Sequence, residues 1–257
     1  MTANRRNIIG IVGGVGPYAG LDLMKKVFDN TLADGDQEHL DALLFSLPSG
    51  IADRTEFMEG RVKENPAYAI VQVLDGLEKA GATVAGIPCN TAHAATIFNI
   101  IQQNLQAGGK QIRLLNMIEE TVDFIRKTLP DLRKIGVLST TGTYRSKIYQ
   151  DALELAGYEV IVPSEEIQEE LIHPAIYHRD YGIKTVSNPV HPQAIENLET
   201  GLSYLVSLGA RAVILGCTEI PMALKVPSER GIIAIDPTRI LARALIQNAF
   251  PDKLKPL

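Results

Sequence analysis

Apolar residues along this chain gather into eight short runs rich in Val, Ile, Leu and Ala, separated by longer stretches of helical periodicity. The runs predict strands over Asn7–Val12, Asp41–Leu47, Thr83–Ile87, Arg113–Asn116, Lys134–Leu138, Val160–Val162, Ala212–Leu215 and Ile232–Ile235. They alternate little between apolar and polar, as expected where helices cover both faces of a parallel sheet. The stretches between them predict helices over Ala19–Leu32, Pro66–Lys79, Ala92–Leu105, Ile118–Thr128, Arg145–Leu155, Gln193–Ser207 and Arg239–Ala249. Pro66 stands at a first helical position, and Gly81, Gly157 and Gly209 follow last turns. Strand and helix taking turns in this way predict an α/β fold built on parallel sheets.

The pattern also repeats. Ile9-Gly10-Ile11-Val12, with Gly16 and Tyr18 beyond it, parallels Ile135-Gly136-Val137-Leu138, with Gly142 and Tyr144 beyond. Gly81-Ala82 opens an apolar run ending at Cys89, and Gly209-Ala210 opens one ending at Cys217. The chain's two cysteines therefore sit at matching strand ends of two related units. In open parallel sheets ligands bind beyond the carboxyl ends of the strands, so both thiols are expected to face one cleft. The repeat divides the chain into lobe one, 1–116 with 222–257, and lobe two, 117–221. The last strand and helix have no evident counterpart in the second unit and are expected to return to lobe one.

Composition narrows the function classes. A length of 257 residues suffices for a large core. The formal charge of −5, with basic residues scattered, gives no footprint for nucleic acid. No segment approaches the roughly 20 apolar residues of a membrane helix. Arg5-Arg6 before an apolar run imitates a signal peptide, but no small-residue cleavage site follows, and the run reads as a first buried strand. Two cysteines in such a sequence are expected as reduced thiols of a soluble cytoplasmic protein.

Each candidate motif has a plainer alternative. Gly13-Gly14-Val15-Gly16-Pro17-Tyr18-Ala19 resembles a dinucleotide fingerprint, yet no acidic residue closes the second strand to hold a ribose. Free N–H groups at the helix start binding a small carboxylate are the favoured reading. Cysteine often merely fills a core, but here polar residues follow each one: Asn90-Thr91-Ala92-His93 after Cys89, Thr218-Glu219 after Cys217. Two thiols without further spaced ligands are too few for zinc. His93 either tunes the thiol or packs; His39, His173, His178 and His191 form no interpretable spacing. Arg54, in Asp53-Arg54-Thr55, sits where an anionic ligand would lie, whereas Tyr177 to Lys184 reads equally as a charged surface loop.

Taken in order, the glycine turn 13–17, Asp53-Arg54-Thr55, Pro88-Cys89-Asn90-Thr91-Ala92-His93 and Gly216-Cys217-Thr218-Glu219-Ile220 resemble the cofactor-independent aspartate/glutamate racemases. Glu219 after Cys-Thr resembles the aspartate racemase branch. The resemblance implies two similar Rossmann-like lobes of pseudo-twofold symmetry, with the active site between them. It implies Cys89 and Cys217 as acid/base thiols, and Val15, Gly16, Asn90, Thr91, Thr141, Thr143, Thr218 and Glu219 around the substrate. Arg54 and Lys184 match the positions that clamp a distal carboxylate. Ser49-Gly50 replaces an amide common before that segment, which leaves side-chain specificity open. No cofactor and no metal are implied; the partner is a small amino-acid substrate, and homodimers are common in the family. Hydantoin racemases and maleate isomerases share the plan, and a non-catalytic carboxylate-binding module is the alternative from another class. A thiol near its ordinary pKa of ~8.5 is a few per cent ionised at neutral pH. Two-base racemisation therefore calls for one thiolate beside one thiol, and predicts a bell-shaped pH profile.

Overall fold

A computed structural model describes residues 7–226 and 231–257, so Arg5 and Arg6 lie outside the described residues. The first unit runs β1 (Ile9–Gly13), α1 (Pro17–Asp29), β2 (Ala42–Ser46), α2 (Arg54–Met58), α3 (Ala67–Lys79), β3 (Val84–Gly86), α4 (Ala95–Ala107) and β4 (Arg113–Leu114). Helix α5 (Met117–Thr128) leads to β5 (Lys134–Ser139), α6 (Thr141–Ser146), α7 (Ile148–Leu155) and β6 (Glu159–Ile161). A single turn, α8 (Glu165–Ile167), widens through a π turn at Gln168–Ile172 into α9 (His173–Tyr177). Then follow α10 (Pro192–Ser207), β7 (Ala212–Gly216), α11 (Ile220–Ala223), β8 (Ile233–Ile235) and α12 (Pro237–Ala249).

The strands form two four-stranded parallel sheets ordered β2-β1-β3-β4 and β6-β5-β7-β8. Register follows the repeat: Ile9 pairs with Val84, and its counterpart Ile135 with Ala212. The central strands β1, β3 and β7 are buried along their whole length, which explains their unbroken apolar runs.

The chain's end departs from the expectation. Strand β8 does not return to the first lobe; it pairs with β7 in the second sheet, Ala212 opposite Ile233. It is the counterpart of β4, whose Arg113 lies opposite Val84. Only the helix returns: Leu241, Leu245 and Ile246 of α12 pack with Ile9, Ile11, Leu23 and Val84 of the first lobe. Helix α5, which follows β4, does the converse, packing Val122 and Ile125 against Ile135, Val137 and Ile214 of the second sheet. The two helices are thus exchanged between the sheets they follow. Each starts from an equivalent side-chain cap, Asn116 accepting from the Ile118 and Glu119 amides and Asp236 from those of Thr238 and Arg239.

Direct contacts hold the lobes together around the strand ends. Tyr177 donates its hydroxyl to Thr55 Oγ1 at 2.8 Å. A Cβ on Gly142 would stand 2.8 Å from Thr55 Oγ1 and 2.9 Å from Thr91 Cγ2, so this approach needs glycine. Arg145 also pairs with Glu59 at 3.2 Å, but its exposed side chain limits that pair to ~1 kcal/mol or less.

Candidate active site

The parallel strands aim their carboxyl ends at the interlobe cleft. After β3 the chain reaches Cys89 and winds one tight turn, Thr91–His93, before α4; after β7 it reaches Cys217 at once and then α11. Cys89, Cys217, Val15, Arg54, Asn90, Thr91, Lys184, Thr218 and Glu219 all line a single cavity, joined by Thr140, Tyr177 and Gly216. Both thiols are free and buried.

Around Cys89 the partners are cationic and neutral. The Arg54 guanidinium lies against the thiol and is anchored by two carbonyls, Val15 O at 2.7 Å and Ala52 O at 3.2 Å. Burial works against its charge, but Cys89 and Asp53 outweigh that and raise its pKa. Asp53 caps α2, accepting from the Thr55 and Glu56 amides, and thereby fixes where Arg54 starts. Asn90 Oδ1 accepts from the buried Tyr149 hydroxyl at 2.5 Å, while Asn90 Nδ2 and Arg54 Nε are buried without partners among the described residues. Unpaired buried donors in a cavity wall are what a ligand would complete.

Around Cys217 the partner is anionic. Its Sγ donates to Glu219 Oε2 at 3.0 Å, and the same oxygen accepts from Thr218 Oγ1 at 3.0 Å. Glu219 Oε1 accepts from Lys184 Nζ at 3.0 Å, and the ammonium lies 5.6 Å from the centre of the Tyr177 ring. Burial would push the Glu219 carboxyl up, but Lys184, the Cys217 thiol and Thr218 outweigh it and bring it to about 2. Burial first, and then the Glu219 carboxylate, push the Cys217 thiol well above its ordinary range. Burial would also lower the Lys184 ammonium, which Glu219 and Cys217 instead hold high. A Cβ on Gly16, at φ 137°, would stand 2.8 Å from Glu219 Oε1, so the glycine turn makes room for this carboxylate.

The sequence model of the Asp/Glu/hydantoin racemase family matches residues 12–245. The chain belongs to that family. It is 28% identical to a broad specificity amino-acid racemase of Bacillus subtilis, over 93% of this chain and 96% of that one. Among solved structures, an aspartate racemase of Picrophilus torridus superposes with a TM-score of 0.78 at 29% identity, covering 97% of this chain and 96% of that one. An aspartate racemase homologue of Pyrococcus horikoshii gives 0.69 at 26% identity, covering 95% and 99%. The two-lobed racemase fold and its two parallel sheets agree with the arrangement seen here.

Within this racemase fold some expected residues lie elsewhere. Thr141 is turned away from the cavity: its hydroxyl accepts from Gln168 Nε2 at 3.3 Å and bonds His173 Nδ1 at 2.9 Å. Thr143 stands behind the wall, bonding Thr91 and Thr140 in a cluster of three hydroxyls at 3.0–3.1 Å. Gly16 lines an adjoining cavity rather than the one between the thiols. His93 packs rather than touching a thiol. It accepts the Met117 amide at Nε2, so Nδ1 carries the proton and donates to the Cys89 carbonyl at 2.9 Å. Burial holds its pKa down at about 4, so it is neutral. Sequence reading missed Thr140 and Tyr177. The repeat offset that relates Gly10 to Gly136 carries Val15, which lines the cavity, to Thr141 and not to Thr140, so the repeat gives no signal for it. Tyr177 reaches the cavity through the π turn and α9, and no local signal marks it. Among the described residues no helix is long and apolar enough to cross a membrane.

Proposed function

We propose that this chain interconverts the enantiomers of an amino acid, aspartate among its substrates, by two-base proton transfer between Cys89 and Cys217 and without pyridoxal phosphate. The observation carrying this reading is the pair of free thiols at repeat-related strand ends lining one cavity, with unpartnered donors on Asn90 and Arg54 in its wall. Binding alone would need no such pair of thiols. The likeness to an aspartate racemase and to a broad specificity amino-acid racemase supports the same chemistry.

In the reaction a thiolate on one face takes the Cα proton, and the electron pair stays on a carbanion conjugated with the α-carboxylate. The thiol on the other face then delivers its proton to Cα, giving the enantiomer and leaving the two sulfurs with exchanged protonation. Cys217, facing a carboxylate, is the sulfur that keeps its proton at rest. Donors held in place before the reaction, with Asn90 Nδ2 first among them, stabilise the charge developing on the carboxylate. Arg54, anchored by neutral carbonyls, keeps its charge for the distal carboxylate of an acidic substrate. A site needing both thiols free works in a reducing compartment such as the cytoplasm.

The test is α-proton exchange in deuterated solvent, followed by NMR, with L- and D-aspartate and then glutamate and no added cofactor. Exchange with inversion is expected from the wild type. Absence of exchange on every amino acid offered to folded, reduced protein would overturn the reading.

A further inference from the structure

Next to the cavity between the thiols lies a second, larger one, of about 230 Å³ against about 10 Å³. The smaller space holds about one water, so a substrate side chain has to reach beyond it. Arg54, Lys184 and Glu219 line both cavities and form the boundary between them. The charges in the larger wall cancel: Asp53 and Glu219 are negative, Arg54 and Lys184 positive. These groups already have protein contacts, except Arg54 Nε, which has no partner among the described residues. Asp53 caps α2, Arg54 is held by the Val15 and Ala52 carbonyls, and Lys184 is paired with Glu219. Tyr18, Pro48, Ile51 and Ile183 give the rest of the wall an apolar character, with Ser187 at one side.

We infer that this second cavity is a side-chain subsite, and that it extends the substrate range to amino acids with long uncharged side chains, of methionine or leucine type. The inference rests on the racemase reading and adds the substrate class. Lys184 is already paired with Glu219, so an uncharged side chain can enter without leaving that ammonium unpaired. A distal carboxylate, by contrast, must share Lys184 with Glu219 or rely on Arg54.

Two filling variants test this: Ser187→Phe, and Pro48→Phe at an exposed position should the first fold poorly. The readout is the ratio of kcat/KM for L-methionine to that for L-aspartate, from α-proton exchange. The wild type is expected to exchange both, and either variant to lower the ratio at least tenfold. Exchange of aspartate but of no uncharged amino acid would overturn the subsite and leave the racemase reading standing; so would an unmoved ratio in the folded variants. Should no amino acid exchange, the racemase reading falls. Calorimetric titration of methionine then decides the subsite: binding to wild type lost in Ser187→Phe supports it, and no binding, or equal binding to both, overturns it.

Discussion

Tyr149→Phe removes one oxygen from a fully buried ring and tests how the cavity is held in order. The Tyr149 hydroxyl makes a 2.5 Å bond to Asn90 Oδ1, and Asn90 Nδ2 has no partner among the described residues, so this one bond orients the amide. Tyr149 itself is 0% exposed and makes no part of the cavity wall. Without the hydroxyl, Asn90 Oδ1 becomes a buried acceptor with nothing to accept, at a cost of about 1–3 kcal/mol. The amide also loses what distinguishes its two orientations. Half a turn would present oxygen to the substrate carboxylate in place of N–H. Losing one preorganised neutral donor, ~1–2 kcal/mol in the transition state, corresponds to roughly a 5–30-fold fall in kcat/KM. Urea unfolding reads the first effect and α-proton exchange the second. A double-mutant cycle separates them: in an Asn90→Ala background, Tyr149→Phe should lose its kinetic effect. A Tyr149→Phe variant destabilised as expected but with unchanged kcat/KM would refute the role given to Asn90. An additive cycle would refute the route through it.

Further outcomes follow from the same geometry. Cys89→Ser and Cys217→Ser should each abolish racemisation while unfolding close to wild type, and near wild-type turnover by either would sink the two-base scheme. Glu219→Gln removes one of the causes that push the Cys217 thiol up, so iodoacetamide should alkylate Cys217 from a lower pH than in wild type, as read by mass spectrometry; an unchanged profile would count against the Sγ–carboxylate contact. His93 stays neutral in the fold down to about 4, against 6.5 when unfolded, so the unfolded chain binds the extra proton and stability falls as pH drops through that window. By linkage the loss from pH 7 to pH 5 is ~2 kcal/mol, and His93→Gln should flatten the slope of urea stability between those values.

Strands β1, β3, β5 and β7 were legible because a strand buried on both faces must be apolar throughout, and the two cysteines because the repeat kept them in phase; the partly exposed β2, β4, β6 and β8 were marked by their short apolar runs alone. The terminal strand was misassigned because the repeat falls out of step. Val84 and Arg113 are paired in the first sheet, Ala212 and Ile233 in the second, and the connection between them is eight residues shorter in the second copy. A full helix, Ala95–Ala107, shrinks there to Ile220–Ala223. Thr141 fails for a finer reason. It is the repeat partner of Val15, but the helix after β1 begins at Pro17, whereas the one after β5 begins at Thr141 itself, with Thr140 as its cap. That earlier start brings Thr140 into the wall and turns Thr141 away. The pairing of Glu219 with Lys184 is likewise invisible in sequence, because the two lie 35 residues apart.

The scaffold is nearly symmetric and its electrostatics are not, which constrains how a two-base racemase on this site must behave. Enantiomers have equal free energy, so detailed balance requires equal kcat/KM in the two directions, whatever surrounds each sulfur. The Glu219 carboxylate makes the form with Cys217 ionised the rarer one. Turnover of one enantiomer by the common form leaves the enzyme in the rare form, and the reverse step starts from there. For the directions to balance, the rare form must react faster by the factor by which it is scarcer. The chemistry supplies that compensation: a thiolate formed against a neighbouring carboxylate is the stronger base and takes the Cα proton more readily. The asymmetry around Cys217 therefore does not bias the reaction toward one enantiomer. It appears only in how kcat and KM divide between the two directions, and in the relaxation of the free enzyme after each turnover.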